Sequence, residues 1–386
     1  MIELALVGCP SAGKSTFFKA VTLKDVKIAP YPFTTLEANE GLAHVSVKCP
    51  CIELNVKCTK CVDGTRFVPI KIWDIAGLVP DAHLGRGRGI AFLDDVRQAN
   101  ALIQIIDVSG KTDLEGNPSD DFDPCLAIEM LDNEITYWML DIFKRDWRKV
   151  HHLGSKDFIE SIENRFSGLG ITKDHIGKAF MSSNLSLENF KNWSDDDCFI
   201  FVNELRKLSK PSMVVANKID TNEKNIEKLN KIDRIIVPAS ADIELALREA
   251  NKYGIIKYVP GSSDFQILKD GLDEKRSRAI DYMKRFLEKH GTTGVQEALN
   301  KTAFDLLDLI VVYPVADPSK YTDKSGNVLP DAFLLRKGST ALNLAYAIHE
   351  DIGKKFIAAT DARAGRNVSA DYVLKNGDIV SIKSGR

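Results

Sequence analysis

The stretch GCPSAGKST at residues 8–16 decides the fold of this chain. It matches the phosphate-loop pattern G-x-x-x-x-G-K-[ST] from Gly8 to Ser15. The apolar run IELALV at 2–7 predicts a buried strand before it, and TFFKAVT predicts a helix after it. Two glycines let successive backbone N–H groups turn toward an anion at the positive end of that helix. The stretch therefore predicts a site for a nucleoside triphosphate.

The loop residues have distinct predicted roles. Lys14 is expected to span the β- and γ-phosphates and so to act in catalysis, and Ser15 is expected to ligate Mg²⁺. The predicted nucleotide contacts of this loop are Gly8, Ser11, Ala12, Gly13, Lys14, Ser15 and Thr16. Because GTPases, kinases and ATPases share the motif, other parts of the chain have to distinguish them.

A second motif, DIAG, follows the strand pattern FVPIKIW at 67–73. Its position at the end of a strand, where α/β sheets bind ligands, predicts that Asp74 holds Mg²⁺ through water. The Gly77 amide is expected to contact the γ-phosphate during catalysis. In the intervening YPFTTLE, Thr34 or Thr35 is expected to sense Mg²⁺ and the γ-phosphate from a mobile switch, and we assign Thr35 to magnesium binding and catalysis.

The tetrapeptide NKID at 217–220 ends the apolar run PSMVVA and predicts a guanine reader. The Asp220 carboxylate can accept from N1–H and from the exocyclic amine of guanine, whereas adenine presents a lone pair there and is repelled. Asn217 is expected to tie this loop to the phosphate loop, and the Lys218 stem to cover one face of the base. An ordinary turn also favours Asn and Asp, so this interpretation depends on the neighbouring motifs.

A further strand pattern, RIIVPAS at 234–240, ends in Ser240 and Ala241, where a backbone amide is expected to donate to guanine O6. The order of motifs is phosphate loop, threonine switch, D-x-x-G, N-K-x-D and S-A, each at the end of a strand. This order predicts a P-loop GTPase fold, an α/β fold with a mostly parallel sheet and helices on both faces, that binds GTP or GDP with Mg²⁺.

Four of the seven cysteines, Cys49, Cys51, Cys58 and Cys61, have the spacing C-x-C-x₆-C-x₂-C. Four soft ligands in a hairpin-sized segment can enclose one Zn²⁺ tetrahedrally. Its role would be structural, because no neighbouring acid or His suggests an open catalytic position. The first pair is spaced more tightly than usual, and some thermophiles form intracellular disulfides, so disulfides and free thiols stay open as alternatives. Cys125 and Cys198 are predicted to be buried.

The strands ending at Asp107 and beginning at Pro211 lie much further apart than the roughly 10 to 15 residues of a crossover helix, so an inserted unit is required. Helical patterns at 124–150 and 157–209 predict a helical hairpin or bundle. We therefore expect a GTPase domain (1–110 and 205–305), a helical insertion (111–204) and a C-terminal domain (306–386).

The C-terminal domain opens with the strand pattern LLDLIVVYPV. LPDAFLLRKGSTALNLAYAIHEDIGKKF then predicts a strand and one helix, capped by Ser339 or Thr340, with Ala341, Ala345, Ile348 and Ile352 on one face. Two more strands, FIAATDA and YVLKNGDIVSI, complete a small mixed sheet. This pattern resembles the TGS domain, a ubiquitin-like β-grasp module, and the resemblance implies docking on RNA or a ribosomal protein.

The formal charge of −2 on 386 residues gives the chain no general attraction for nucleic acid, so any RNA contact requires a local patch. No apolar stretch approaches the roughly 18 residues of a membrane span, and the start of the chain lacks the features of a signal peptide. We expect a cytoplasmic protein without membrane contact or sequence-specific DNA binding, and its oligomeric state stays open.

Several aromatic and basic residues are candidate contacts for RNA or for the reaction. His83, Arg86 and Arg88 lie in the glycine-rich DAHLGRGRG and could supply a catalytic charge or touch RNA, with a solvated loop as the alternative. The remaining RNA candidates are Trp138, Trp147 and the run KRDWRKVHH, although aromatic residues at helical spacing usually pack in a core. The adjacent His151 and His152 are considered as metal ligands.

Together, GCPSAGKST, YPFTTLEAN, DIAGLVPDAHLGRGRG with FLDDVRQANALIQIIDVSG, NKID and PASADIELALREA resemble the Obg family of translation-associated GTPases, in its YchF-like archaeal branch. The likeness covers nearly the whole chain and implies a nucleotide switch with slow GTP hydrolysis that is associated with the ribosome or translation. Ras-like GTPases carry a water-orienting Gln after D-x-x-G. Leu78 stands in that place here, a substitution shared with the Obg family that implies that a partner or another group supplies the missing function.

The resemblance leaves two alternatives to a GTPase open. Bacterial and eukaryotic YchF-like proteins generally depart from N-K-x-D and favour ATP, so an ATPase is one of them. A non-catalytic, GTP-regulated RNA-binding adaptor is the other. Some related GTPases hold K⁺ with an Asn in the phosphate loop, and Ser11 occupies that place here, so potassium dependence is undecided.

Overall fold

The computed structural model describes residues 1–23, 39–85, 95–145 and 152–385. Residues singled out above that lie outside the described part of the chain are Thr34, Thr35, Arg86, Arg88, Trp147 and His151, together with the rest of 146–151 in the run KRDWRKVHH. The chain divides into two compact units. The nucleotide unit comprises Ile2–Leu42 and Lys71–Ala298, and the C-terminal unit comprises Ala43–Ile70 and Leu299–Arg386. The predicted boundaries instead assign 43–70 to the GTPase domain.

Seven strands form the main sheet, in the order β2-β4-β1-β5-β6-β7 with β3 paired to β4. They are β1 (Glu3–Val7), β2 (Asn39–Lys48), β3 (Cys61–Val62), β4 (Thr65–Asp74), β5 (Ala101–Asp107), β6 (Ser212–Asn217) and β7 (Ile236–Ala239). The strands β4, β1, β5, β6 and β7 are parallel to their neighbours in this order. The register pairs Leu6 with Asp74 and Asp107 with Asn217, so their carboxyl ends meet at one edge of the sheet.

Two of the boundaries between the two units in the sequence fall within β2 and within β4. β2 leaves the nucleotide unit after Leu42, and β4 returns to it at Lys71. The antiparallel hairpin of β3 and β4 belongs to the C-terminal unit at its turn.

Eight helices with both ends among the described residues of the nucleotide unit follow the strand ends or fill the insertion. They are α1 (Lys14–Thr22), α2 (Pro124–Lys144), α3 (Ser155–Arg165), α4 (Lys173–Ser183), α5 (Asp195–Ser209), α6 (Ile226–Leu229), α7 (Ala241–Lys252) and α8 (Glu274–His290). A short hairpin of β8 (Ile256–Lys257) and β9 (Gln266–Ile267) lies between α7 and α8. Apolar side chains of strands and helices form one core, and the mostly parallel sheet agrees with the α/β fold predicted from the motifs.

Helices α2 to α5 occupy the segment between β5 and β6, where an inserted helical unit is predicted. Asp123 caps α2 by accepting from the Cys125 amide, and Pro124 starts the helix. The insertion is packed by aromatic rings: Phe158 stacks on Phe190 with ring centroids 4.0 Å apart. Trp138 also packs against the core, which agrees with the packing alternative for that residue.

Two of the cysteine predictions have different outcomes. Cys198 in α5 is buried, as predicted. Cys125 is only half-buried, because it lies in the first turn of α2 where one side of the helix is exposed. Among the described residues, no helix combines the length and the apolar content needed to cross a bilayer.

The C-terminal unit holds a mixed five-stranded sheet in the order β11-β10-β14-β12-β13. Its strands are β10 (Leu309–Val315), β11 (Phe333–Arg336), β12 (Phe356–Asp361), β13 (Arg366–Val368) and β14 (Ile379–Ser384). β10 is parallel to β14, and the other pairs are antiparallel. Before this sheet the chain forms α9 (Val295–Lys301) and one π-helical segment (Thr302–Leu306). The TGS fold predicted for the end of the chain is confirmed.

One helix was predicted in this unit, and the structure has two, α10 (Ala341–Ile348) and α11 (Glu350–Lys354). Thr340 caps α10 by accepting from the Asn343 amide. The backbone of His349 is extended, with φ −165° and ψ 143°, and its side chain caps α11. The predicted single face that included Ile352 is therefore wrong, because the chain changes direction at His349.

Candidate nucleotide-binding site

The phosphate loop connects β1 to α1 through two residues with left-handed backbone, Ser11 at φ 60° and Gly13 at φ 97°. A Cβ atom on Gly13 would lie 2.3 Å from Nδ2 of Asn217. Such a distance is a severe steric overlap, and a positive φ also disfavours residues with a side chain. Glycine is therefore required at position 13 by its own backbone and by the loop that carries Asn217.

Lys14 lies buried in the first turn of α1. Its Nζ donates to the carbonyl oxygens of Gly8, at 3.0 Å, and Cys9, at 2.8 Å. Burial lowers the pKa of Lys14, and the negative charge of Asp74 partly offsets that effect. An ammonium has three protons, so one N–H is left to donate to a phosphate oxygen. The position suits neutralisation of phosphate charge.

Ser15 and Asp74 form the candidate magnesium site. Ser15 Oγ donates to Asp74 Oδ2 at 2.8 Å. Asp74 is fully buried, and its Oδ1 has no hydrogen-bond partner in the described part of the chain. Burial raises the pKa of Asp74, while Lys14 and Ser15 act in the opposite direction. A hydroxyl beside a carboxylate oxygen in need of a partner fits Mg²⁺, which prefers oxygen ligands and binds together with phosphates.

Asn217 joins the two ends of the site. Its Nδ2 donates to the Ala12 carbonyl in the phosphate loop at 2.9 Å. Its Oδ1 accepts from the Ala241 amide at 3.1 Å, and the side chain is buried. One amide therefore links the phosphate loop, the NKID loop and the start of α7. Thr16, the last predicted loop contact, is half-buried in α1.

The amides of Ser240 and Ala241 both have protein partners. Ser240 N–H donates to the Thr293 carbonyl at 2.9 Å, and Ser240 Oγ caps α7 by accepting from the Ile243 amide at 3.2 Å. Because the Ala241 amide donates to Asn217, a contact from it to guanine O6 would have to share that hydrogen bond. The O6 contact stays a prediction.

Asp107, at the end of β5, holds the Lys218 side chain. Lys218 Nζ donates to Asp107 Oδ2 at 2.8 Å. Asp107 also accepts from Ser109 N, Ser109 Oγ and Thr112 Oγ1. Burial alone would raise the pKa of Asp107, but the Lys218 charge and these hydrogen bonds hold it below its ordinary value. The Lys218 stem is therefore fixed at the edge where the sequence predicts that it covers a base.

Asp220 has a buried carboxylate oxygen with which no described residue forms a hydrogen bond. Its Oδ1 makes no hydrogen bond among the described residues, and its Oδ2 accepts only a long one from Thr221 Oγ1 at 3.5 Å. Leaving a buried acceptor unpaired costs about 1–3 kcal/mol, so such a group needs a donor from elsewhere. A pair of N–H donors on a ligand would supply it.

Two further residues lie near this carboxylate. Tyr282 of α8 donates its hydroxyl to the Asp220 carbonyl at 3.4 Å. Asp242 has a raised pKa because of burial and, secondly, because of the negative charge of Asp220. A ligand placed here therefore meets an acidic environment that favours N–H donors.

The backbone after β4 passes close to the phosphate loop. A Cβ atom on Gly77 would lie 3.1 Å from the Pro10 nitrogen, and the Leu78 amide donates to the Gly8 carbonyl at 3.1 Å. Leu78 itself is buried in the core. Its apolar side chain has no group that can orient a water molecule.

His83 is held by α2 in this structure. Glu134 Oε1 accepts from the Asp81 amide at 2.8 Å, and Oε2 accepts from the His83 amide at 2.9 Å. The same Oε2 lies 2.7 Å from His83 Nδ1, and the imidazole stacks on Tyr137 with ring centroids 4.8 Å apart. The His83 ring, a candidate for the missing catalytic charge, thus points to a buried carboxylate of the insertion.

Asp107 and Glu134 are the site residues that the sequence analysis missed. Asp107 ends a buried strand at the same edge as Asp74 and Asn217, so the rule that locates those two also applies to it. Glu134 carries no such signal, because it lies within the long helix α2 and its partners are 51 and 53 residues away.

Three family models match consecutive parts of the chain. A model described as 50S ribosome-binding GTPase matches residues 3–135. A model described as Obg-like GTPase YGR210-like, G4 motif-containing domain matches 215–317, and the TGS domain model matches 321–384.

Relatives match over the full length. A GTP-binding protein of Methanocaldococcus jannaschii is 48% identical over 100% of this chain and 99% of its own length. The ribosome-binding ATPase YchF of Bacillus subtilis is 25% identical over 99% of both chains. The crystal structure of a GTP-binding protein from Pyrococcus horikoshii OT3 covers 100% of both chains at 35% identity, with a TM-score of 0.76.

Proposed function

The chain belongs to the Obg-like, YchF-type family of P-loop GTPases, and on this premise we propose that it binds GTP in preference to ATP and hydrolyses it slowly as a nucleotide switch. The observation that carries the proposal is the buried Asp220 Oδ1, which has no donor among the described residues. Guanine offers N1–H and an exocyclic amine side by side, so it satisfies both carboxylate oxygens. Adenine presents a lone pair at that edge and would leave the buried carboxylate unpaired.

Guanine recognition is supported by the fixed surroundings of Asp220. Asn217 ties the base loop to the phosphate loop, and Asp107 fixes Lys218. A bound base therefore contacts the Asp220 carboxylate and the aliphatic stem of Lys218 in loops that are already ordered, so binding does not require further ordering of either loop. The nearby Asp242 adds to the preference for a donor edge over an acceptor edge.

The chain's own residues account for phosphate binding and charge neutralisation. The Lys14 N–H that is not used by Gly8 and Cys9 would donate to an oxygen of the β- or γ-phosphate, and the phosphate-loop amides would surround the phosphates. Ser15 would ligate Mg²⁺ and Asp74 would hold it through water, with Thr35 as the further predicted ligand. When bound, Mg²⁺ neutralises negative charge on the β- and γ-phosphates. The backbone at Gly77 passes close to Pro10 of the phosphate loop, and this supports the proposal that the Gly77 amide contacts the γ-phosphate.

Slow hydrolysis follows from the residue after D-x-x-G. Leu78 is buried and apolar, so the attacking water lacks a side-chain acceptor from that position. His83 does not replace it while Glu134 accepts from its ring. A partner that alters this segment would therefore increase the rate, and the ribosome is the partner that we propose, because a relative is named a ribosome-binding ATPase.

Competition binding tests the base assignment. The Kd of GTP, ATP and xanthosine triphosphate is measured with a fluorescent GTP analogue for the wild-type chain and for Asp220→Asn. We expect GTP to bind the wild-type chain at least about tenfold more tightly than ATP, and Asp220→Asn to lose at least about tenfold in GTP affinity while gaining xanthosine triphosphate binding. Asp233→Asn, at an exposed aspartate after α6, is the matched control. Equal affinity of the wild-type chain for ATP and GTP would reject guanine selectivity.

Two other functions compete with this proposal. The name of the Bacillus subtilis relative favours an ATPase, and the same competition experiment distinguishes that alternative. A non-catalytic RNA-binding adaptor is favoured by Leu78 and the TGS domain. Turnover of GTP measured with and without 50S subunits separates the adaptor from the switch, since an adaptor shows no phosphate release in either condition.

A further inference from the structure

The four clustered cysteines lie in the part of the chain between β2 and β4, within the C-terminal unit. A two-residue turn at Asp63 and Gly64, with φ of 47° and 78°, joins β3 to β4 and places Cys61 opposite Arg66. The Cys49 amide donates to the Gly64 carbonyl at 2.8 Å. Backbone hydrogen bonds thus bring Cys49 next to Cys61.

A second turn brings the remaining cysteines to the same place. Leu54 N–H donates to the Pro50 carbonyl, and Val56 N–H donates to the Cys51 carbonyl, both at 3.1 Å. Asn55, with φ 51°, reverses the chain so that Cys58 returns toward Cys51. Cys49 and Cys51 are buried, and Cys58 and Cys61 are half-buried. The backbone of 49–64 therefore forms a closed loop around four thiols.

The sulfur atoms have the spacing of a tetrahedral metal site. All four Sγ atoms lie within 4.8 Å of one another, and those of Cys51 and Cys61 are 3.7 Å apart. Four sulfurs at about 2.3 Å from a central Zn²⁺ are about 3.8 Å from each other. None of the seven cysteines, all of which are among the described residues, is in a disulfide. A disulfide would draw two sulfurs together to about 2.05 Å and leave the other two without a shared partner.

The surroundings of the cluster suit a negatively charged metal–thiolate group. The Lys60 amide donates to Cys58 Sγ at 3.3 Å, and Arg66 Nη1 lies 3.7 Å from the same sulfur. Arg66 is buried beside this sulfur. Four thiolates around Zn²⁺ carry a net charge of about −2, so they would give this buried guanidinium an anionic neighbour.

We propose that Cys49, Cys51, Cys58 and Cys61 bind one structural Zn²⁺. All four ligands come from the protein, so the site has no open position for a substrate. The ion closes the segment 49–61 and keeps Arg66 in the position from which it donates to the Leu329 carbonyl at 2.9 Å and the Pro330 carbonyl at 3.2 Å. The metal therefore joins this segment to the C-terminal residues of the same unit, independently of the nucleotide.

Metal and thiol measurements on the purified full-length chain test this site without any assay of nucleotide hydrolysis. After zinc supplementation and extensive dialysis, elemental analysis should give about one Zn²⁺ per chain. Cobalt replacement should give the intense thiolate-to-metal charge-transfer and visible bands of a tetrahedral sulfur site. Titration of thiols in denaturant with chelator, and without reductant, should give all seven cysteines. Each disulfide would remove two from that number.

Single substitutions locate the ion. Cys58→Ser and Cys61→Ser should each lower the bound zinc at least about tenfold, whereas Cys125→Ser, outside the cluster, should keep it. Removing the ion with a mercurial reagent and chelator should speed tryptic cleavage after the exposed Lys57 and Lys60 by about tenfold or more. Three results on the wild-type chain would each overturn the proposal, even if the variants fail to fold. They are a thiol count of five or three, which indicates one or two disulfides, the absence of stoichiometric metal after zinc supplementation, and iron in place of zinc.

Discussion

Replacing Glu134 with glutamine is expected to loosen the segment that follows DIAG. The two oxygens of Glu134 serve different donors, with Oε1 accepting from the Asp81 amide and Oε2 accepting from the His83 amide and facing its ring. A glutamine has one oxygen and one NH₂ group. Whichever way its amide is oriented, at least one backbone N–H at 81 or 83 loses its acceptor and faces a donor instead.

The expected size of the effect follows from the burial of the carboxylate. Glu134 is 6% exposed, so water cannot easily replace the lost acceptor. A buried donor left without an acceptor costs about 1–3 kcal/mol. The cost falls on the closed form of residues 81–84, so the equilibrium between local opening and closing should shift by about 5- to 150-fold toward opening.

Hydrogen exchange followed by mass spectrometry measures this shift directly. In Glu134→Gln, amides at 81–85 should exchange about 5- to 150-fold faster than in the wild-type chain, while β5 and β6 keep their protection. Glu129→Gln is the matched control, because Glu129 is exposed on the same helix. If both variants show the same exchange at 81–85, the hydrogen bonds of Glu134 do not hold this segment.

Three other changes test the remaining long-range contacts. Asn217→Ala leaves two buried backbone groups unpaired and should lower the free energy of unfolding by at least about 2 kcal/mol in urea denaturation, whereas Asn230→Ala, at an exposed site, should not. Burial lowers the pKa of Lys210 to about 8, so between about pH 8 and 10.5 the unfolded chain keeps a proton that the folded chain has lost. The free energy of unfolding should therefore rise with pH in this range. An equal slope of this free energy against pH for the wild-type chain and for Lys210→Gln would contradict the prediction. Arg66→Met leaves the Leu329 and Pro330 carbonyls without their donor and should cost about 2–4 kcal/mol, measured by denaturation of the zinc-loaded chain, and an unchanged midpoint would argue against that contact.

The features of the site that depend on neighbouring residues could be located from the sequence. GCPSAGKST, DIAG and NKID each follow a short apolar run, and the carboxyl ends of parallel strands lie at one edge of a sheet. The structure brings Lys14, Asp74 and Asn217 to that edge. Asp107 could have been found by the same rule, since it ends β5.

Contacts between distant segments could not be predicted in this way. The approach of Glu134 to Asp81 and His83 depends on how α2 packs, and no local pattern specifies it. The inclusion of 43–70 in the C-terminal unit likewise depends on contacts such as those of Arg66 with residues more than 260 positions away. The break at His349 was missed because the apolar spacing continues across it, while the extended backbone of one residue ends the helix.

The distance of 2.3 Å between a Cβ at position 13 and the amide of Asn217 also constrains the order in which these two positions can change during evolution. A side chain at position 13 meets the end of the Asn217 side chain, so a substitution there first requires Asn217 to rotate away or to become shorter. That earlier step removes the hydrogen bonds to Ala12 and Ala241, and the strained backbone at 13 would still remain. A change at position 13 therefore combines the loss of both Asn217 hydrogen bonds with the strain of a positive φ.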